Sequence, residues 1–317
     1  MIDINISRPW NEFIFQGFPN IFGSESGLFA LFLCMYIMSL LGNLSIVFVT
    51  YLDSKLQSPM FFFLGNLSFL DICYISVTVP KMLSDFLEKK KIISFTGCLV
   101  QMLMFISMQG TEAFLLAVMA YDRYVAICSP LCYTSIMNRI TCHLLVAVCW
   151  TNGLLNSIVH TTLTFSLPFC KSHLLNHYFC DIPPLLKISC RDTYVNELVL
   201  FVVGGICVGF ANFLLILISY TFILSAILHL PSKEGKHKAF STCSSHLIVV
   251  ALFYGTAMFI YIRPSSSYSL QRDSVVSILY SILAPMLNPI IYSLRNQEIK
   301  GEIKKIVVNK SAKMLSH

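Results

Sequence analysis

The sequence predicts an all-α membrane protein, a seven-transmembrane helix bundle with a short amphipathic eighth helix. Three observations carry that reading. Of 317 residues, 56% are hydrophobic and only 12% are charged, with a mean hydropathy of +0.72. That is more apolar surface than a soluble domain buries. Seven apolar windows, about 27–51, 59–82, 98–124, 140–167, 195–229, 238–262 and 272–294, each reach the roughly 20 residues that cross a bilayer. These runs lack period-2 alternation, and unpaired backbone amides are prohibitive in lipid, so each window is a helix. No internal repeat or low-complexity tract divides the chain. It reads as one bundle over 27–294, with an N-terminal segment at 1–26 and a tail at 295–317.

Residues 1–26 mix Asn, Ser, Pro, Asp and Glu without an apolar block behind a basic start. No cleavable signal peptide is expected, and the first span acts as the targeting signal. Asn5-Ile6-Ser7 is an N-glycosylation acceptor in a mobile terminus, which fits an outside N-terminus. An odd number of spans then places the C-terminus on the opposite, cytoplasmic side.

Basic residues in the tail (Arg295, Lys300, Lys304, Lys305, Lys310, Lys313) and at Lys233, Lys236 and Lys238 agree with that orientation, while Lys89, Lys90 and Lys91 oppose it. Cysteine placement is the stronger signal. Cys98 opens the third span and Cys170, Cys180 and Cys190 share one loop on the same side. Four thiols on one face point to disulfides and an oxidising exterior, and spacing alone leaves all three pairings open. The remaining cysteines lie in spans or near the other face, where small thiols pack helices. The fifth window is longer than a bilayer requires, so it projects or tilts. Segment 295–308 lies at the interface as a basic amphipathic helix, with no cysteine after Arg295 for an acyl anchor. The net charge of +6 suits an anionic membrane face and brings no nucleic-acid motif with it.

Function concentrates on the third span. Its end reads MAYDRYVAIC from Met119 to Cys128, with Asp122 beside Arg123 where a bilayer tolerates neither charge unpaired. Arg123, Glu112 and Phe105 are 11 and 18 residues apart, close to three and five whole helical turns, so they share one face. Glu112 lies about 16 Å deeper than Arg123 at 1.5 Å per residue. Asp71, midway along the second span, is the other intramembrane carboxylate, and the two together hold a small cation or share a proton. Arg123 ends the span on the cytoplasmic side, Asp122 restrains it at rest, and release opens a partner-binding surface. That is a switch, not a catalytic site. Scattered Ser and His form no nucleophile–base pattern, and His177, Cys180 and Asp181 in HYFCD are not a trustworthy metal-ligand set. The competing class is a channel or transporter with Asp71 and Glu112 along an ion path.

The Asp122-Arg123-Tyr124 triplet, with Asn288-Pro289-Ile290-Ile291-Tyr292 closing the seventh span, resembles the rhodopsin-like G-protein-coupled receptors. Within them the chain resembles the vertebrate olfactory receptors, class II (tetrapod-type). The match runs through NEFIFQGF at 11–18, GN at 42–43, PMFFFLGNLSFLD at 59–71, MAYDRYVAICSPLCY at 119–133, SY at 219–220, KAFSTCSSHL at 238–247 and PMLNPIIYSLRN at 285–296. The resemblance implies bonds from Cys98 to Cys180 and from Cys170 to Cys190. It implies that Arg123, Tyr220, Tyr292 and the His246 region of the sixth helix rearrange to admit a G protein, and that Asp71 and Glu112 belong to a polar centre which binds sodium in some members. No other cofactor is implied. Partners are a small volatile odorant, a heterotrimeric G protein with an olfactory Gs-type α subunit acting through cAMP, and the lipid bilayer of the plasma membrane. Two departures stand out. Phe61 replaces the usual tyrosine after PM, and the sixth span has Phe253-Tyr254-Gly255 in place of the CWxP of other rhodopsin-like receptors, so Tyr254 is the expected transmitter.

Helical phase then nominates a ligand lining toward the outer end of the bundle. It comprises Phe105, Ile106, Gln109 and Gly110 on the third span, and Val202, Gly205 and Ile206 on the fifth, counted back from Tyr220. Tyr254, Ala257, Met258 and Tyr261 follow on the sixth, with Ser274, Ile278 and Ser281 on the seventh. The lining is apolar with sparse polar groups and no carboxylate near Phe105. A small, neutral, largely apolar ligand is expected, hydrogen-bonded by Gln109 and Tyr261 and broadly tuned.

Overall fold

A computed structural model describes residues 11–17, 24–52, 58–229, 231–261 and 275–295. Asn5, Ser274, the side chain of Tyr261 and the amphipathic segment beyond residue 295 lie outside the described residues. Seven helices are long and apolar enough to cross a membrane: α1 (Glu25–Leu52), α2 (Pro59–Leu87), α3 (Phe95–Cys128), α4 (Arg139–Phe165), α5 (Tyr194–Leu228), α6 (Lys233–Tyr261) and α7 (Val275–Tyr292).

Local chemistry sets several boundaries. Pro59 opens α2, where its missing N–H costs nothing. The Ser94 hydroxyl accepts from the Gly97 amide at the start of α3, and the Asn138 side chain accepts from the Thr141 amide at the start of α4. In α3, 72% of the most apolar window is buried, against 11% in α5. The helix carrying Glu112 and Arg123 is therefore the axis of the bundle, and α5 presents most of its surface to lipid.

Glycine lets helices approach closely at two places. A Cβ on Gly42 of α1 would sit 2.9 Å from Pro289 Cγ of α7, and its neighbour Asn43 donates to the Pro285 carbonyl at 2.9 Å. Between α3 and α4, a Cβ on Gly153 would lie 2.6 Å from the Ser107 carbonyl oxygen and 2.7 Å from the Thr111 amide, with Thr111 Oγ1 closer still. Ser157, one turn further along α4, donates to the Leu103 carbonyl. Small residues and interhelical hydrogen bonds are the means by which helices associate in lipid, where apolar contact alone gives little advantage.

The all-α expectation needs one addition. The segment before α1 forms a strand, β1 (Glu12–Phe15), between β2 (Ile92–Ser94) and β3 (Leu174–Leu175), antiparallel to the first and parallel to the second. Residues 12–15 alternate outward and inward, sending Phe13 and Phe15 into the core, where Phe13 meets Phe95 and Phe169. Residues 12–15 of the N-terminal segment are therefore anchored, while the Asn5 acceptor lies outside the described residues. Lys91, the apparent exception to charge placement, is held here by Glu25 at 2.7 Å and lies over the Phe86 ring. The buried side chains form two clusters, one at this sheet end and one surrounding the Arg123 end.

Candidate functional site

A cavity of ≈ 130 Å³ lies among α3, α4, α5 and α6 below the sheet end. It is similar in size to an engineered apolar cavity that takes up benzene. Ile106, Gln109, Gly110, Gly205, Tyr254, Ala257 and Met258 of the sequence-based set line it, joined by Ala113, Asn156, His160, Ile182, Leu200, Gly204, Val208, Gly209, Phe210 and Phe253.

Five other nominated residues lie elsewhere. Val202 and Ile206 are 40% and 44% exposed on the outer surface of α5. The cause is a π-helical stretch, Leu200–Phe210, whose turns each hold more than 3.6 residues. A count back from Tyr220 at α-helical pitch loses register there, and Leu200, Gly204 and Val208 take the inward positions. The signal was present as the glycine-rich GGICVG at 204–209. Phe105 is enclosed by the rings of Tyr74, Phe179 and Tyr280, and Ile278 packs against that same cluster. Ser281, also nominated, is occupied by hydrogen bonds to Tyr178 of the HYFCD loop and to the Ser277 carbonyl of its own helix.

That loop closes the sheet end. Ser281 donates to the Ser277 carbonyl at 2.6 Å, and its oxygen pairs with the Tyr178 hydroxyl at 2.8 Å. His177 Nδ1 accepts from the Phe179 amide, which leaves Nε2–H to donate to Ser277 Oγ at 3.0 Å. Tyr280 donates to Asp181 at 3.4 Å. Complete burial of His177 favours the uncharged ring and lowers its pKa from 6.5 to about 3. Cys98 is bonded to Cys180, with Cα atoms 5.5 Å apart, and Cys170 to Cys190, at 5.7 Å. Gln101 donates to the Val77 carbonyl and accepts from the Cys180 amide at 2.9 Å, so α2, α3 and the loop share one side chain. Among the described residues no cluster of three metal-ligating side chains occurs, and Cys180 of HYFCD is committed to its disulfide.

Midway down the bundle, Asp71 and Glu112 are both buried and within electrostatic range of each other. Asn288 donates to Asp71 Oδ2 at 3.0 Å. Asp71 Oδ1, Asn43 Oδ1 and Asn288 Oδ1 have no hydrogen-bond partner among the described residues. Pro289 follows within the helix and adjoins Gly42.

At the far end, Arg123 is buried and engages Tyr220 of α5 and Cys243 of α6. Tyr220 is 2.9 Å from His246 Nδ1, and Tyr292 of α7 lies within the field of Arg123. Asp122 feels the Arg123 charge and also accepts the Tyr133 hydroxyl at 2.9 Å. The adjacent Tyr124 packs against Phe222. Between Asp122 and Tyr133 a 3-10 turn, Pro130–Cys132, presents Leu131 at 97% exposure. Sequence reasoning passed over Leu131, although SPLC within the matched motif contains it.

Comparison with known proteins gives a consistent result. Residues 32–310 match a family described as olfactory receptor. Olfactory receptor 5AR1 of Mus musculus is 48% identical over 299 residues, covering 94% of this chain and 96% of its own length. Olfactory receptor 1G1 of Gorilla gorilla gorilla is 50% identical over 297 residues, with 94% and 95% covered. Olfactory receptor 5A1 of Homo sapiens is 47% identical over 312 residues, with 97% and 99% covered.

Proposed function

Because the chain belongs to the olfactory receptor family, we propose that a small neutral odorant in the α3–α6 cavity drives a Gs-type G protein and raises cAMP. Membership makes the protein a multi-pass plasma-membrane odorant receptor that couples to G proteins, and not an enzyme. The observation that carries the finer reading is the course of α3. Ile106, Gln109, Gly110 and Ala113 line the cavity, and Arg123 lies about three turns beyond Ala113 on the same rigid helix.

The relay runs through α6. Tyr254 lines the cavity and donates to the Ala113 carbonyl at 3.3 Å. Cys243 and His246, on the same helix, meet Arg123 and Tyr220. An odorant that displaces Tyr254 loosens α6 from α3 at both levels, freeing Arg123 and opening the partner surface. Leu131 then serves as an apolar knob for the G-protein α subunit, with Tyr133 bracing its turn against Asp122. A large exposed apolar side chain beside a polar switch is a common mark of a partner site.

The orientation proposed puts the disulfide end and residues 1–26, glycosylated at Asn5, outside the cell, and the Arg123 end with residues 295–317 in the cytoplasm. Support comes from two disulfides gathered at one end, which require an oxidising compartment.

The Asp71–Glu112 centre fits a sodium ion. Two buried carboxylates and the partnerless oxygen of Asn288, which is bonded to Asp71, supply oxygen donors, the kind that hard cations take. The ion would neutralise the paired carboxylates, and a proton shared between Asp71 and Glu112 would do the same. The functional test is nucleotide exchange on purified Gs-type and Gi-type heterotrimers, with the receptor in nanodiscs and a panel of neutral volatiles. Odorant-dependent exchange on the Gs type is expected. Exchange on the Gi type alone would overturn the coupling, and exchange on neither would overturn the relay.

A further inference from the structure

Two side chains that line the cavity each carry a polar atom with no partner among the described residues. Both belong to α4, the helix from which helical phase nominated no ligand residue. Asn156 Oδ1 and His160 Nε2 are buried without a hydrogen-bond partner among the described residues, and both side chains line the cavity. Asn156 is 9% exposed and His160 3%. Spaced four residues apart, they lie one above the other on a single face of α4. Buried polar atoms are nearly always paired in native proteins, so two orphans on side chains that line one cavity point to a ligand that completes them once these side chains turn toward it.

The packing explains why these side chains reach the cavity. The Gly110–Gly153 contact draws α4 against α3, and the Ser157 bond to the Leu103 carbonyl fixes its rotation. Across the space on α5, a Cβ on Gly204 would sit 3.4 Å from His160 Nε2. The glycine keeps side-chain atoms of α5 away from this edge of the imidazole. The rest of the wall is largely apolar, with Ile106, Val208, Phe253 and Met258 among its members.

We propose that Asn156 and His160 form a hydroxyl-recognising pair and that the ligand class is small compact alcohols. The ligand O–H donates to Asn156 Oδ1, while its oxygen accepts from His160 Nε2–H. A ketone or aldehyde accepts but has no proton to give, and leaves Oδ1 orphaned. A hydrocarbon leaves both atoms orphaned. This inference rests on the cavity being the odorant site, and it moves the polar anchor from Gln109 to α4.

The test uses the full-length receptor in nanodiscs and three probes on one skeleton: cyclohexanol, cyclohexanone and cyclohexane. Dissociation constants are read from the concentration dependence of thermal stabilisation. Cyclohexanol is expected to bind about 10-fold more tightly than either of the others, equivalent to about 1.4 kcal/mol. Asn156→Leu and His160→Phe should each remove that preference while cyclohexane binding changes less than about 3-fold. His160→Gln, which retains a donor, and Gln109→Leu should both preserve the preference. Gly204→Ala adds only an ordinary contact beside Nε2 and should reproduce the selective loss of alcohol binding even if the α4 variants do not fold.

Equal affinity for alcohol and ketone in the wild type would overturn the proposal. So would a uniform loss of all three probes in the folded variants, or no binding of any probe. Odorant-evoked nucleotide exchange by a ligand of another class would sustain the receptor reading in each of those cases, which separates the two failures.

Discussion

Replacement of Gly153 by alanine tests whether the α3–α4 contact is as close as described. The new Cβ would lie 2.6 Å from the Ser107 carbonyl oxygen, whereas a carbon–oxygen contact settles near 3.3–3.6 Å. The helices must separate by about 0.8 Å, and both obstructing groups, the Ser107 carbonyl and the Thr111 amide, are α3 backbone that does not rotate away. Overpacking of this kind costs about 1–3 kcal/mol. Alanine also raises helix propensity by roughly 1 kcal/mol over glycine, so the control is Gly255→Ala, where nothing lies within 4 Å of the added Cβ. The propensity gain is common to both variants and cancels in their difference. Thermal unfolding in nanodiscs at a fixed scan rate should place Gly153→Ala about 2–12 °C below Gly255→Ala, using 2–4 °C per kcal/mol for a chain of a few hundred residues. Midpoints that agree within about 1 °C would refute backbone contact at this crossing.

Three other perturbations have defined outcomes. His177 is held uncharged with its pKa lowered from 6.5 to about 3, so its contribution is complete above 6.5 and is lost as pH falls through that window toward 3. Stability should decline by up to about 1.4 kcal/mol per pH unit there, and His177→Gln should flatten the difference between melts at pH 7.5 and pH 5. Tyr133→Phe removes a hydrogen bond to the Asp122 carboxylate, worth roughly 1.5–3 kcal/mol, and should raise ligand-free nucleotide exchange; unchanged basal exchange would count against Tyr133 as a brace. Leu131→Asp, at a fully exposed position, should leave the melting temperature unchanged and cut odorant-evoked exchange by about 10-fold or more, as expected for an interface anchor.

How far the sequence was legible follows from the regularity of each helix. On α3, an uninterrupted α-helix, a count at 3.6 residues per turn correctly placed Phe105, Glu112 and Arg123 on one buried face. On α5 the same count misassigned Val202 and Ile206, since the π turns of Leu200–Phe210 alter the angular step and only the glycines of GGICVG mark the place in the sequence. The alternation in Glu12–Phe15 was present but only four residues long, and its two partner strands are distant in sequence. Ser281 and Ile278 occupy inward phases on α7, yet which inward position meets the cavity and which meets the HYFCD loop depends on a tertiary fold of that loop. Asn156 and His160 went unnoticed because α4 enters the cavity wall only through the glycine contact at Gly110 and Gly153, and a glycine pair names no partner by itself.

The route from cavity to Arg123 is tested most directly by filling the cavity and leaving the far end intact. Ala257→Trp places an indole in the space bounded by Gln109 and Met258, remote from Arg123, Tyr220 and His246. With Gs-type heterotrimer in nanodiscs, an activating odorant should accelerate exchange on the wild-type receptor and have no effect on Ala257→Trp, whose ligand-independent exchange stays measurable. Equal odorant-evoked acceleration in both proteins would contradict a signal that begins in this cavity.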